Sequence, residues 1–325
     1  MKVRVLTALF ALGALACAQA AFSQPAAREA YPAKPVRVII TYAGGAEPIA
    51  RLIANKMQET MGQPFVIEAM TGANGSVGAL AASRAAPDGY TLLASTGATQ
   101  IIRGFLVKDV PYDPFKDFTP ITHTFDAVSV IATHPGGPSS LKEMIERAKQ
   151  NPNKVSFGST GIGSAYHMSG EQIQLLTGVQ FLHVPYKAGP QSITDLVAAR
   201  VDTAFTVYAT TKPFSESGKL RYLATLNNAR FSGIPDVPAV REVVPGFQSV
   251  PLWGGYFGPA GLPQPLVQRL NGEFIRAIKL PDVSGTMERG GLMPIAAGPE
   301  PFSAMIKGDV ERLQKIVKAA GIVPE

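Results

Sequence analysis

The chain has 325 residues, 46% of them hydrophobic, with 30 basic against 24 acidic side chains, four histidines and one cysteine. A single cysteine excludes an internal disulfide, so the fold rests on its own core, which a chain of this length can divide between two domains of ordinary size. The net charge of +6, with no block of Lys and Arg alternating with aromatics, argues against nucleic acid as a partner, and beyond the N-terminus no apolar run reaches the roughly 18 residues of a membrane-spanning helix.

Taken in chain order, Lys2 and Arg4, the apolar run from Val5 to Ala16 and the small residues Ala18-Gln19-Ala20 read as a secretory signal peptide over residues 1–20. Cleavage after Ser23 is the alternative. Cys17 stands where a lipoprotein cysteine would, but Ala14 replaces the larger aliphatic residue usual three positions earlier, which favours a soluble exported product over an anchored one. The β-branched run 36–40 predicts a buried strand. Ile49, Ala50, Ile53, Met57 and Met61 then recur at helical spacing over 48–62. Gly44-Gly45 falls between the two, where bare backbone lets a ligand approach and the N–H groups of a new helix favour an anion, although a glycine pair also serves as plain punctuation.

A strand is expected at 63–70, a glycine-rich loop entering a helix at 71–87, and a strand at 90–96. Three prolines mark 110–122 as an ordered irregular segment. A strand at 127–134 and a helix at 140–153, capped by Ser139 or Ser140, lead into a unit that repeats the opening pattern: strand 154–160, loop 161–164, and helix 164–178 between a Ser164 cap and Gly178. Strand, helix and strand over 179–206, a returning strand at 220–226 and amphipathic helices at 265–280 and 300–321 complete the chain. The alternation predicts an α/β protein with mostly parallel pairing. No low-complexity linker is present, so two lobes exchanging strands through a hinge are expected, one of residues 31–126 with 227–325 and the other of 127–226.

Three junctions, at 41–47, 71–76 and 161–164, share the design of strand, glycine-rich loop and helix start, which suggests helix N-termini aimed into a common cleft. Carboxylates suit such donors. Arg51 and Lys187 are the nearby cations, with an ion-paired surface role as the alternative for Arg51. Tyr42, Tyr166 and Tyr186 lie beside glycine-rich segments as wall or core residues, His167 is placed equally for ligand contact, capping or packing, and Trp253 reads as packing. Enzyme signatures are scarce: "GANGSVG" (72–78) is not a dinucleotide fingerprint, the histidines lack metal-ligand spacing, and Ser164, His183 and Asp195 form a triad only on paper, without a nucleophile elbow. The chain is therefore read as a non-enzyme without cofactor or metal.

The segments "YPAKPVRVII" (31–40), "GGAEPIAR" (44–51), "GANGSVG" (72–78), "PDGYTLL" (87–93), "PYDPFKDFTPI" (111–121), "GSTGIGSAYHMSGE" (158–171), "HVPYKAG" (183–189), "TDLVAARVD" (194–202), "GKLRYLA" (218–224), "PDVPAVRE" (235–242) and "WGGYFGPAGLP" (253–263) together resemble the Bug-type, or TctC-like, substrate-binding proteins of tripartite tricarboxylate transporters. The resemblance implies a type II periplasmic binding protein of the Venus-flytrap kind, with two α/β lobes, a hinge and a cleft. It further implies a monomer in the periplasm that grips a small-molecule carboxylate and delivers it to membrane permease subunits. In such proteins loops matching 42–47 and 72–76 supply the first lobe's donors, which maps onto Tyr42, Gly44, Gly45, Ala46, Glu47, Gly75 and Ser76, with Thr96 nearby. The second lobe's loop matches Gly161, Gly163 and Ser164, with Tyr166, His167, Tyr186 and Thr206 as further candidates. Departures from the family pattern are Ala43 for proline, Ala46 for a hydroxyl residue, Glu47 for aspartate, one residue fewer between Gly45 and Ala50, Met70 for arginine and Thr206 for aspartate. Loss of that aspartate argues against amino-acid ligands, and an apolar Met70 facing the cleft would suit an aromatic or halogenated acid. A ligand-sensing receptor feeding a two-component system is the alternative role on the same fold.

Overall fold

The computed structural model describes residues 31–43 and 46–324; the leader, Cys17 and the pair Gly44-Gly45 lie outside the described residues. In chain order come β1 (Val36–Ile40), α1 (Glu47–Met61), β2 (Phe65–Ala69), α2 (Ser76–Ser83), β3 (Thr91–Thr96) and a π-helical turn (Ala98–Ile102) running into α3 (Arg103–Leu106). The middle of the chain forms β4 (Phe118–Ala127), β5 (Ser129–Thr133), α4 (Leu141–Gln150), β6 (Ser156–Ser159), α5 (Ala165–Thr177), β7 (Leu182–Pro185), α6 (Gly189–Val197), β8 (Thr203–Val207), α7 (Tyr208–Glu216) and β9 (Arg221–Thr225). A single turn α8 (Val240–Val243) is followed by β10 (Trp253–Pro259), α9 (Gln264–Ile278), α10 (Pro281–Arg289), β11 (Leu292–Ala297) and α11 (Pro299–Ala319).

The strands build a six-stranded sheet in the order β11-β4-β10-β3-β1-β2 and a five-stranded sheet in the order β7-β6-β8-β5-β9. Pairing is mixed rather than mostly parallel. β1 runs parallel to β2 and β3, and β6 to β7 and β8, whereas β10 is antiparallel to β3 and β4, β11 to β4, and β5 to β8 and β9. Every antiparallel pair involves a strand by which the chain leaves or enters a sheet, where no helical crossover imposes direction.

Each sheet is covered on both faces, which is why strands such as β1 carry apolar residues without alternation. Val38 and Ile40 pack with Ile49, Ile53 and Met57 of α1 and Phe274 of α9, while Ile39 on the opposite face joins Ala79 of α2 and Phe302 of α11. In the second sheet Ile131 and Phe205 pack against α4 and α5, and Val130 and Ala204 against α6.

The proline-rich segment expected to be irregular enters β4 at Phe118. Pro120, which lacks an N–H, sits beside a register shift where Phe257 faces Pro120 but Tyr256 faces Thr122, so the ladder misses no bond that the chain could have made. Strand β10, with Gly254 and Gly255 near its start, was unreadable from propensity. Those two positions leave room for the rings of Phe125 and Phe302, which a side chain would displace.

The chain passes between sheets at Ala127–Ser129 and again after Thr225. Asn227, 1% exposed, clips the two passages together: its Oδ1 accepts from the Ser129 amide at 3.0 Å and its Nδ2 donates to the Ala127 carbonyl at 3.1 Å.

Candidate functional site

A cavity of about 480 Å³ lies between the two sheets' layers. One side is formed by Asn74, Ala98, Ile102, Arg103 and Leu106, the other by Thr160, Ile162, Ser164 and Tyr166, with Leu252 contributed by the segment leading into β10. Among the described residues no Asp or Glu stands on its wall.

The first side follows from a distortion of the helix after β3. The Arg103 N–H bonds the Ala98 carbonyl, an i→i+5 bond that widens the turn, and Ile102, Arg103 and Leu106 all reach the cavity. Arg103 is half-buried, and its Nε is buried with no hydrogen-bond partner among the described residues. Behind it, Tyr112 donates to the Thr99 carbonyl at 2.6 Å; burial pushes that phenol up from its ordinary pKa, and the Arg103 charge is among the groups opposing the shift.

The second side is the start of α5. The Ser164 hydroxyl caps the helix by accepting from the His167 amide at 3.2 Å, as its sequence position predicts. The Gly163 N–H donates to His167 Nδ1 at 3.0 Å, so Nδ1 is unprotonated and Nε2 carries the hydrogen, 3.4 Å from Glu171 Oε1. The Gly161 N–H donates to the Ser159 hydroxyl at 3.1 Å, and that hydroxyl also lies 2.7 Å from His183 Nε2. The two imidazoles stack with centroids 4.0 Å apart. Burial, followed by the neighbouring His167, pushes the His183 pKa down to about 4, with Glu171 opposing. The N–H groups of Ala165 and Tyr166, in the first turn of a 13-residue helix, have no intrahelical acceptor, and both residues line the cavity.

Of the candidates drawn from the sequence, Ser164 and Tyr166 stand on this wall. Tyr166 presents its ring, since its hydroxyl lies 3.4 Å from Ser129 Oγ in the core, where burial pushes its pKa up to about 12. Gly163 meets Leu106 across the cavity, close enough that a Cβ would overlap the leucine. Gly75, at φ +87°, is wedged between Thr41 and Thr99, and the Ser76 hydroxyl after it is buried without a well-formed hydrogen bond. Thr96 ends β3 opposite Gly254, and Thr206 is buried in β8 opposite Val130.

Other candidates are engaged elsewhere. Tyr42 sets its ring edge-on to Phe125, and burial together with Glu47 holds its phenol well above the ordinary range. Ala46 begins α1 without a side-chain cap, and Glu47 pairs with Arg51 at 2.7 Å, which gives Arg51 the ion-paired surface role. Tyr186 donates to Asp195 Oδ2 at 2.9 Å, and burial, then that carboxylate, pushes it up to about 12. Asp195 also takes Arg200, His183 is on Ser159 and Ser164 is a cap, so the paper triad is not assembled. Met70 turns its sulfur to Arg37 Nη2 at 3.7 Å and is not on the cavity wall, where Ile102, Leu106, Ile162 and Leu252 provide the apolar surface instead.

Arg103, Leu106 and the π-helical turn escaped the sequence reading, because an isolated "IIRGFL" carries no motif. A second cavity, about 490 Å³, opens between α7 and the end of α10, but its charges Lys212, Glu216, Glu288 and Arg289 are of both signs and no described residue of the glycine-rich junctions lines it.

Among known proteins, the family model described as tripartite tricarboxylate transporter family receptor matches residues 49–322. A solved structure described as a periplasmic transporter shares 36% identity, with TM-score 0.72 over 90% of this chain and 99% of that one. A Rhodopseudomonas palustris protein solved with adipate shares 27% identity, with TM-score 0.74 over 91% and 100% of the two chains. Another from the same organism, solved with malate, shares 29% identity, with TM-score 0.68 over 88% and 100%.

Proposed function

The chain belongs to the tripartite tricarboxylate transporter receptor family, and from that membership we propose that it is an exported solute-binding protein that captures an organic carboxylate in the cavity between its lobes. The observation that carries this reading is the cavity itself: it lies between the two sheets, has no acidic wall residue among the described residues, and receives the open first turn of α5. A carboxylate there accepts from the Ala165 and Tyr166 amides at the positive end of the helix dipole, without having to displace an acidic side chain. Relatives solved with adipate and with malate support an acid as the cargo.

Capture proceeds by closure of one lobe, residues 31–126 with 227–325, on the other, residues 127–226. The two passages clipped by Asn227 serve as the hinge, because only there does the chain cross between sheets. The closed, loaded form is then presented to the permease subunits of a tripartite tricarboxylate-type transporter on the outer face of the inner membrane. On the second lobe's side Gly163 keeps the space open opposite Leu106.

The test is the melting temperature of the mature protein, unfolded and refolded to remove any retained ligand, against aliphatic, aromatic, hydroxylated and amino acids and their neutral amides. An acid at a hundred times its dissociation constant stabilises the fold by about 2.7 kcal/mol, and the matching amide leaves it unchanged. A flat response to every acid overturns the reading.

A further inference from the structure

The geometry points to Arg103 as the residue that pairs with the ligand's carboxylate, and to an acid with an apolar body as the ligand it selects; this rests on the interlobe cavity being the capture site. Among the described residues Arg103 is the one charged side chain on the wall. Its Nε is shielded from solvent and has no partner among the described residues. A guanidinium nitrogen left this way is destabilising in the empty protein, and a carboxylate accepting from Nε and a terminal nitrogen side by side removes the deficit with charge-assisted bonds.

The rest of the wall explains the other half of the selection. The side chains of Ala98, Ile102, Leu106, Val107, Ile162 and Leu252 offer no hydrogen-bonding group, Tyr166 turns its hydroxyl away to Ser129, and Ser164 caps α5, so Asn74 and Thr160 are the few uncharged polar groups beside a mainly apolar surface. A third carboxylate carried against this apolar surface would leave water without finding a second cation to replace it, whereas methylene or ring carbons lose nothing. Arg103 projects from the first lobe's side and the α5 first turn faces from the second. A closed complex therefore brings donors to the acid from both sides, while the apolar body fills the space beside Leu106.

Titration calorimetry with hexanoate, benzoate, adipate and citrate on the wild type, Arg103→Gln and Arg103→Lys tests this. Hexanoate, benzoate or adipate is expected to bind the wild type at least about tenfold more tightly than citrate. Arg103→Gln should weaken that acid about 30-fold or more, and Arg103→Lys, which keeps the charge but loses the fork, about tenfold. Affinity within threefold of wild type in Arg103→Gln overturns the pairing while leaving the receptor reading intact. Citrate as the tightest ligand overturns the apolar selection. Should Arg103→Gln fail to fold, unchanged affinity in folded Arg103→Lys overturns the bidentate pairing. Failure of every acid to bind the wild type instead counts against the receptor reading itself.

Discussion

The two glycine-rich junctions at 71–76 and 161–164 look alike in sequence and are held in opposite ways. The first is packed from behind by its own lobe: Gly75 has Thr41 Cβ and Thr99 Oγ1 each 2.7 Å from where a Cβ would stand, and the Thr41 carbonyl at 2.9 Å. The second is held by side-chain acceptors, with its glycine amides on Ser159 and His167, and the three atoms nearest to where a Cβ at Gly163 would stand all belong to the tip of Leu106 across the cavity. A glycine at a strand-to-helix turn therefore does either of two jobs, keeping a lobe's interior closed or leaving space between lobes, and what stands behind the loop decides which.

The sharpest way to break that comparison is to put a side chain on each glycine. Gly75→Val meets backbone and a β-carbon that cannot move, at φ +87°, and should lower the unfolding free energy by about 2–5 kcal/mol in denaturant melts. Gly163→Val carries the left-handed backbone cost of about 1–2 kcal/mol but otherwise meets a flexible leucine tip, so its larger effect should fall on affinity. Either the lobes stop short of closure or Leu106 is driven into the cavity, and binding should weaken by at least about 30-fold. If Gly163→Val lost stability as Gly75→Val does and kept its affinity, the contrast between the junctions would be wrong.

A smaller effect sharpens the account of how the second junction is held. His183 resists protonation in the folded protein down to about pH 4, whereas in the unfolded chain it titrates near 6.5. Between those values the unfolded state takes up a proton that the folded state refuses, so stability is intact above about pH 6.5 and falls as pH drops toward 4, then levels. With the ring only half-buried, solvent screening holds the loss to about 1–2 kcal/mol. Urea melts across this range should show it, and His183→Asn should flatten that part of the curve.

Much of the architecture was legible locally. Val36–Ile40, the α1 stripe from Ile49 to Met61, and α5 between its Ser164 cap and Gly178 are set by patterns within a dozen residues, and the structure repeats them almost to the residue. The strands β10 and β11 and the entry of β4 at Phe118 were not legible, because Gly254, Gly255 and Pro120 oppose strand formation unless a neighbouring ring or a register shift accommodates them. The direction of pairing was likewise missed, since local propensity carries no information about which strand a chain meets on returning to a sheet.

The site divides along the same line. By itself the sequence determined where helices begin behind glycine-rich loops, and hence which backbone amides are available to an anion, because capping and helix geometry act over three or four residues. Only the tertiary structure decided that Gly161 and Gly163 give their amides to Ser159 and His167, that Met70 turns to Arg37, and that Arg103 faces the cavity with a nitrogen unpartnered among the described residues. Those outcomes depend on groups brought together from distant parts of the chain, and a side chain's electrostatic role is fixed by its neighbours in space.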